Sequence, residues 1–547
     1  MYNISKMDFV RKMNKGGAKM RKMRRIIAPI LMVALMSVFL MTGCSKTAES
    51  AYTPIPGLDT KTEITLKIAI PYETNKAMNT VSNAFMDKYP NVTVQMQYIE
   101  DYDTNAVQLF KENSLDMILQ KDLTFEEETV KNEATGEETS TGATTDNYFY
   151  NFAADGDIDF SDTNPDISNN YRHIRKDEDG NDIAYQYSYP LGGETRGVFV
   201  NKTLLDEYDL AVPTNFTEFL ACCEVLKNNG LIPVQGGGDT AAYGLGMAPA
   251  ANEAVHSETA LAAMAAAEPG VSRAFEDTIS KIYTLATMRY FDYKAVEGTG
   301  FYTNTSELGQ SESFLGISKD KDTFETVMPE NNYGYVAFMP YISSTETVIQ
   351  SLIDEYHLDT ELEFICSPLN DEGTKSPVYI TPYYGICANK NSENLDWIRE
   401  FVNFLFQEEN NKIYASDAFI IPNTTEALQF VADTYGVDVD KDVTLCGQIR
   451  FSDEYNGFTP LAAGLKEAMK CSAQKYMVNL NKDENGNIQY ETDETGKEFL
   501  YMGNEQEKKI YKEYVGEEDS AMPGYAFCTL EYYLDILEKE FAKYRVG

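Results

Sequence analysis

Ile64–Tyr98 reads ITLKIAIPYETNKAMNTVSNAFMDKYPNVTVQMQY. Ile64, Leu66, Ile68 and Ile70 fall on alternate positions, the period of a β-strand. Pro71-Tyr72-Glu73-Thr74-Asn75 ends that run. Met78, Val81, Phe85 and Met86 then recur at helical spacing as far as Pro90. Val92, Val94, Met96 and Tyr98 alternate once more. Strand, helix, strand is the unit of a parallel sheet covered by helices, and it predicts an α/β protein.

Upstream, Thr47–Glu63 is polar, carries Pro54, Pro56 and Gly57, and reads as a tether over 44–61. Before it lies a basic head (Arg11 to Arg25), an uncharged run from Ile26 to Gly43, and Leu40-Met41-Thr42-Gly43-Cys44-Ser45. A basic head, a short apolar core and a small residue before a cut mark a signal peptide, here 1–43. Gly43-Cys44 resembles a bacterial lipobox, with Met41 where Leu is usual. The expectation is a lipoprotein cut before Cys44, with its lipid on that thiol. A transmembrane anchor is the competing reading, and the apolar run is marginal for it.

The chain has 547 residues and a net charge of −40. Residues 1–43 carry nine Lys/Arg against Asp8, so the remainder is more acidic still. That length exceeds one ordinary core and predicts two lobes or more. The acidity argues against nucleic acid, whose binding depends on neutralising phosphates. Seven cysteines follow Cys44 without any CxxC, and most read as small buried hydrophobes. A Cys366–Cys387 bond stays open, since both lie in strand-like runs.

Downstream, 121–146 is rich in Glu and Thr with almost no large apolar residue, and predicts a disordered surface insertion. Asp177-Glu178-Asp179-Gly180 suggests a hairpin turn. After Pro213, Asn215 and Glu218 have capping-box spacing, and Phe216, Phe219, Leu220, Cys223 and Leu226 line one helical face. A second helix is expected over about 392–407. Trp397, at helical spacing with Phe401 and Phe404, reads as core. Asn485-Gly486 and Glu494-Thr495-Gly496 punctuate a small β insertion over 480–502.

Motifs for phosphate binding, zinc proteolysis and serine hydrolysis are missing from the sequence, and its three histidines lie far apart. Asp155-x-Asp157-x-Asp159 lacks the glycine of a calcium loop, and Asn481-x-Asp483-x-Asn485-Gly486 lacks the terminal Glu. Both read as turns. No carboxylate pair stands out for glycosidase work.

A longer pattern does emerge. Phe85-Met86-Asp87-Lys88-Tyr89-Pro90-Asn91-Val92, Ser114-Leu115-Asp116-Met117-Ile118, Tyr189-Pro190, Gly197-Val198-Phe199-Val200-Asn201-Lys202, Pro213-Thr214-Asn215-Phe216, Gly334-Tyr335-Val336-Ala337-Phe338, Ser367-Pro368 and Ile421-Pro422 follow one another in an order that resembles extracellular solute-binding protein family 1, the sugar-binding components of ABC importers. The resemblance implies a two-lobe periplasmic-binding-protein-like fold of type II, with the ligand cleft between the lobes. Lobe one would hold 62–190 and 383–435, and lobe two 195–378 and 440–547. It further implies a monomer without cofactor or catalysis. Such a protein takes a carbohydrate, hands it to ABC permease subunits, and meets the membrane only through its lipid. A lipid-anchored glycosidase, or the same fold with a peptide or other solute, are the alternatives.

Sugars offer flat C–H faces and rings of hydroxyls, so aromatic faces with Asp, Glu, Asn and Gln suit them. The chain has 37 Tyr and one Trp, which leaves stacking to tyrosine. Positions after strands at the implied cleft give Tyr72, Glu73, Asn75, Gln120, Asp122, Glu194, Arg196, Asp239, Tyr243, Tyr341, Ser343, Tyr383 and Tyr384 as candidate ligand residues.

Overall fold

The structure, a computed structural model, describes residues 52–71, 75–121, 123, 127–131, 138–176, 179–236, 242–257, 270–291, 306–320, 323, 325–448, 463, 465, 477–503 and 505–543. The elements that position the site run in chain order. The first are β1 (Ile64–Ile70), α1 (Lys76–Lys88), β2 (Val92–Tyr98), β3 (Met117–Gln120), β4 (Tyr189–Pro190) and β5 (Gly192–Asn201). Next come α2 (Phe216–Asn228), β6 (Ile232–Val234), α3 (Glu307–Phe314), β7 (Val336–Ile342), α4 (Glu346–Tyr356), β8 (Leu362–Cys366), β9 (Val378–Pro382) and β10 (Gly385–Ala388). The last are α5 (Leu395–Leu405), α6 (Glu408–Asp417), β11 (Ile421–Pro422), α7 (Ala427–Tyr435) and β12 (Val443–Leu445).

Two sheets result. The first has the order β2-β1-β3-β10-β4, with β1 parallel to β2 and β3, and β10 antiparallel to β3 and β4. Leu66, Ile68 and Phe85 are fully buried there, and Trp397 stands edge-on to Phe85 and Tyr89. Trp397 is therefore core, as its helical spacing implies. The second sheet runs β6-β7-β5-β9-β12. The ten-residue β5 is its spine. Its first half pairs with β9 and β11, and its second half with β7 and β8. This is the two-lobe α/β fold implied by the resemblance.

The chain passes between the sheets at Leu191, at Tyr383-Tyr384 and again before Ile421. Leu191 N–H donates to Tyr384 O at 3.0 Å, and Tyr383 N–H to Gly192 O at 2.8 Å, so the ladder continues through the crossing. Buried Asn423 and Asn411 donate to Pro190 O and Leu191 O at 2.8 and 3.0 Å, which ties in the third passage. The strands approach so closely that a Cβ on Gly385 would lie 2.9 Å from the Tyr189 carbonyl carbon. Buried amides satisfied on backbone carbonyls hold such a crossing in one arrangement.

Several local expectations change. Segment 121–146 is not wholly irregular: Glu127–Lys131 pairs antiparallel with Glu138–Ala143, as its run of β-branched threonines allows. The tether over 44–61 is docked at its far end. Ile55 is buried, and its N–H donates to the buried Glu400 carboxylate at 2.8 Å. The small β insertion over 480–502 belongs to a six-stranded sheet spanning Met477 to Cys528. Cys366 and Cys387 are buried and not bonded to each other, Cys366 lying on β8 of the second sheet and Cys387 on β10 of the first.

Candidate ligand cleft

A cleft opens where the strands cross. One wall comes from the first lobe. Asn75 caps α1, its Oδ1 accepting from Met78 N–H at 2.9 Å, and this sets Ala77 against the opening. Asp417, at the end of α6, accepts from Lys76 Nζ and Thr80 Oγ1, both at 2.7 Å, and so joins α6 to α1. Ala418 and Lys121 complete that wall.

The floor is Glu194, Tyr383 and Tyr384. Glu194 is 2% exposed, yet it sits among donors. Ser344 Oγ donates to its Oε2 at 3.2 Å, Lys121 Nζ lies 3.6 Å from Oε1, and Arg196 Nη2 lies 4.0 Å from it. A buried carboxylate needs such partners. The Tyr383 and Tyr384 rings meet edge to face, 5.3 Å apart at 88°. Lys121 also stands over the Tyr384 face at 5.3 Å, within cation–π range.

The second lobe supplies Glu307, Ile342, Ser344 and Thr347. Glu307 begins α3, where the helix dipole favours an anion, and accepts from Thr345 Oγ1 at 2.5 Å. Burial, with Glu307, Glu194 and Tyr384 nearby, raises the Tyr341 phenol well above its ordinary value. Burial does the same to Tyr383, beside Tyr414, Glu194 and Glu307. Both phenols therefore stay protonated near neutral pH.

Of the residues expected from sequence, Asn75, Glu194, Tyr383 and Tyr384 line this cleft. Arg196 lies beneath it, on Glu194 and Thr381. Gln120 gives its carbonyl to Ser188 Oγ, and Ser343 Oγ accepts from Thr195 N–H at 3.2 Å; neither is a lining residue. Their chain neighbours line it instead: Lys121 in the bend that follows β3, and Ser344 in the 3-10 turn Ser343–Thr345 that follows β7. Tyr341 packs partly buried against the second-lobe core around Phe199, Phe314 and Ile349. Tyr72, Glu73, Asp122, Asp239 and Cys44 lie outside the described residues, as does the side chain of Tyr243. Sequence reasoning missed Glu307, Thr347 and Asp417. All three sit at or near helix ends far apart in the chain, and a helix-start signal at Ser306, whose Oγ accepts from Gly309 N–H, could have pointed to Glu307.

The acidic loops are turns or ion pairs. Asp155 and Asp157 hold the Arg399 guanidinium at 2.7–2.9 Å, and Asp483 accepts from the Asn485 and Asn487 N–H groups at 2.8 Å. No group of three or more His, Cys, Asp or Glu side chains suited to a metal occurs among the described residues.

Residues 70–283 match the family described as bacterial extracellular solute-binding protein. No curated protein sequence matches the chain. Similar solved structures include the ABC-transporter binding protein BlMnBP1 of Bifidobacterium animalis subsp. lactis in complex with mannobiose, 14% identical, covering 90% of this chain and 99% of that one with a TM-score of 0.46. The GacH receptor of Streptomyces glaucescens is 16% identical, covers 74% and 92%, and has a TM-score of 0.46. A sugar transporter from Bacillus licheniformis in complex with stachyose is 15% identical, covers 74% and 94%, and has a TM-score of 0.42.

Proposed function

We infer, from a chain that carries the bacterial extracellular solute-binding protein sequence over residues 70–283, that this protein captures a carbohydrate outside the cell and delivers it to an ABC permease without transforming it. The observation that carries the reading is the cleft itself. Two tyrosines form its floor, and Asn75, Glu194, Glu307, Ser344, Thr347 and Asp417 present hydroxyl-bonding groups around them. Such a lining suits a neutral polyol better than an apolar ligand. Binding would shift an open–closed equilibrium about the crossing strands.

Anchoring through Cys44 rests on the basic head, the apolar run and Gly43-Cys44. A Cys44→Ala change in the native host should release the protein or leave it uncut. Retention by lipid after normal maturation would refute the anchor.

One observation favours a second reading. Glu194, Glu307 and Asp417 outnumber Lys121 among the charged lining residues, so a cationic solute such as a basic peptide also fits. A thermal-shift screen with neutral oligosaccharides and basic peptides separates the two, because a ligand specific to the folded state raises the melting point. Stabilisation by peptides alone would replace the carbohydrate reading. Release of free sugar during incubation would replace binding with hydrolysis.

A further inference from the structure

Pro54-Ile55-Pro56 belongs to the tether, yet its middle residue is 3% exposed while both prolines stay exposed. Proline lacks an N–H, so Ile55 carries the only backbone donor of the three. That N–H goes to Glu400 Oε2 at 2.8 Å. Glu400, on α5, is fully covered. Its Oε1 accepts from the Tyr89 hydroxyl, and Asn403 Nδ2 lies 3.5 Å from its Oε2. Tyr89 stands at the end of α1, its ring 5.0 Å from Phe85 and 5.2 Å from Trp397. A buried carboxylate is unfavourable unless donors surround it. This one takes donors from the α1 end, from α5 and from the tether, and so fastens the tether to the first lobe. The prolines also hold Thr53 and Ile55 extended, so little chain entropy is lost on docking. An apolar anchor, one N–H and a stiff backbone are the parts of a short peptide ligand.

We propose that Pro54-Ile55-Pro56 is an internal ligand of the first lobe, and that its docking on Glu400 makes this lobe the membrane-side half of the anchored protein. The proposal rests on lipid at Cys44. Ile55 is the eleventh residue after Cys44, and eleven residues reach about 36–40 Å at most. Ile64, where β1 begins, is the twentieth. An undocked tether would therefore reach about 66–72 Å. Docking shortens the leash and starts it on the α5 side of lobe one, which leaves lobe two as the half that moves.

The test uses the full chain matured in its native host and reconstituted into vesicles, as wild type and Ile55→Ser. Deuterium exchange of the peptide spanning 53–58 reads docking. Ile55→Ser should exchange there roughly tenfold or more faster, the scale of one buried Ile side chain. Its melting temperature should stay within a few degrees of wild type. Orientation is read by energy transfer to rhodamine lipid from a fluorescent amino acid encoded at position 88 or 355. Lys88 is exposed beside Tyr89 on the first lobe, and Glu355 is exposed on α4 of the second. Transfer from 88 should exceed transfer from 355 in wild type, and the difference should shrink in Ile55→Ser. Unchanged exchange, equal transfer from both positions, or a variant that melts far below wild type would overturn the proposal. Mass spectrometry of Cys44 separates the two readings. Failure with lipid present counts against docking, whereas a Cys44 without lipid removes the anchor and the orientation with it.

Discussion

The Lys121 ammonium stands 3.6 Å from the buried Glu194 carboxylate, and the same Lys121 covers the Tyr384 ring. Lys121 follows a strand of the first sheet, whereas Glu194 lies on the crossing strand of the second. The pair therefore spans the hinge on which the cleft would close. Its two halves are unequal, because Lys121 is 51% exposed and Glu194 almost fully covered. An exposed cation loses little when its partner goes, about 0–1 kcal/mol. A buried polar site left unsatisfied costs about 1–3 kcal/mol. Lys121→Met, which leaves the buried carboxylate one cation short, should consequently lower the denaturation midpoint more than Glu194→Gln, which leaves only an exposed ammonium without its partner. Equal effects in urea titrations would mean that Glu194 is better solvated than its burial implies.

The two floor tyrosines should separate on substitution. Tyr383 is 8% exposed, so Tyr383→Ala should destabilise by about 3–5 kcal/mol, as for other large buried side chains. Tyr384 is only partly covered, and Tyr384→Ala should weaken ligand affinity about tenfold with little change in apo stability. Titration and melting of both variants check this. A Tyr384→Ala protein that melts far below wild type would make that ring core.

Stability should depend on pH through two carboxyls withdrawn from water. Burial pushes Glu346 up to about 7, and burial followed by Asp277 pushes Glu253 up to about 7 as well, from an ordinary 4.5. Between those values the folded state holds more protons than the unfolded one, so their effect is a fall in stability as pH rises from about 4.5 to about 7. At lower pH the opposite case acts. Burial works to raise Asp155, but hydrogen bonds from Arg399 and the Asp157 N–H outweigh it and bring it to about 2, so that stabilisation disappears as pH falls from about 4 to about 2. Melting temperature should peak between about pH 4 and 4.5, and the double change Glu253→Gln, Glu346→Gln should flatten the decline between about pH 4.5 and 7. An undiminished decline would assign it to other groups.

The hairpin Glu127–Lys131 with Glu138–Ala143 should be expendable, but not the residue that anchors its exit. Asp146 takes a bidentate pair from Arg175 at 2.7 and 3.0 Å and a bond from Tyr187. Replacing 124–141 with a short Gly/Ser linker should leave the melting temperature within a few degrees. Asp146→Ala should cost about 1 kcal/mol or more, the scale of a charged hydrogen bond. A large loss from the linker alone would show that the hairpin packs on the lobe.

Much of this was readable before any coordinates. Alternation in Ile64–Ile70 and Val92–Tyr98 became paired parallel strands in register. The Asn215–Glu218 spacing became a cap, with Asn215 Oδ1 on the Glu218 N–H at 3.0 Å, although Glu218 reaches back to Thr214 rather than to Asn215. The site was less legible. Glu194, Tyr383 and Tyr384 were found because they sit where strands cross. Lys121 and Ser344 were each missed by one position, because both lie just past a strand end, in a bend and a 3-10 turn whose side-chain directions strand alternation does not set. Glu307 and Asp417 meet only through tertiary packing, which no local pattern encodes. The expected free tether failed at Ile55 for a similar reason, because the carboxylate that receives its N–H lies 345 residues away.

Calorimetric titration of wild type and Tyr384→Ala with raffinose, stachyose, mannobiose and maltotriose tests the central claim most directly. The account predicts saturable one-to-one binding of at least one sugar by wild type, weakened about tenfold by the substitution. It also predicts that the sugar is recovered unchanged. No binding by wild type, or binding that Tyr384→Ala leaves untouched, would contradict a carbohydrate site at the crossing of the two lobes.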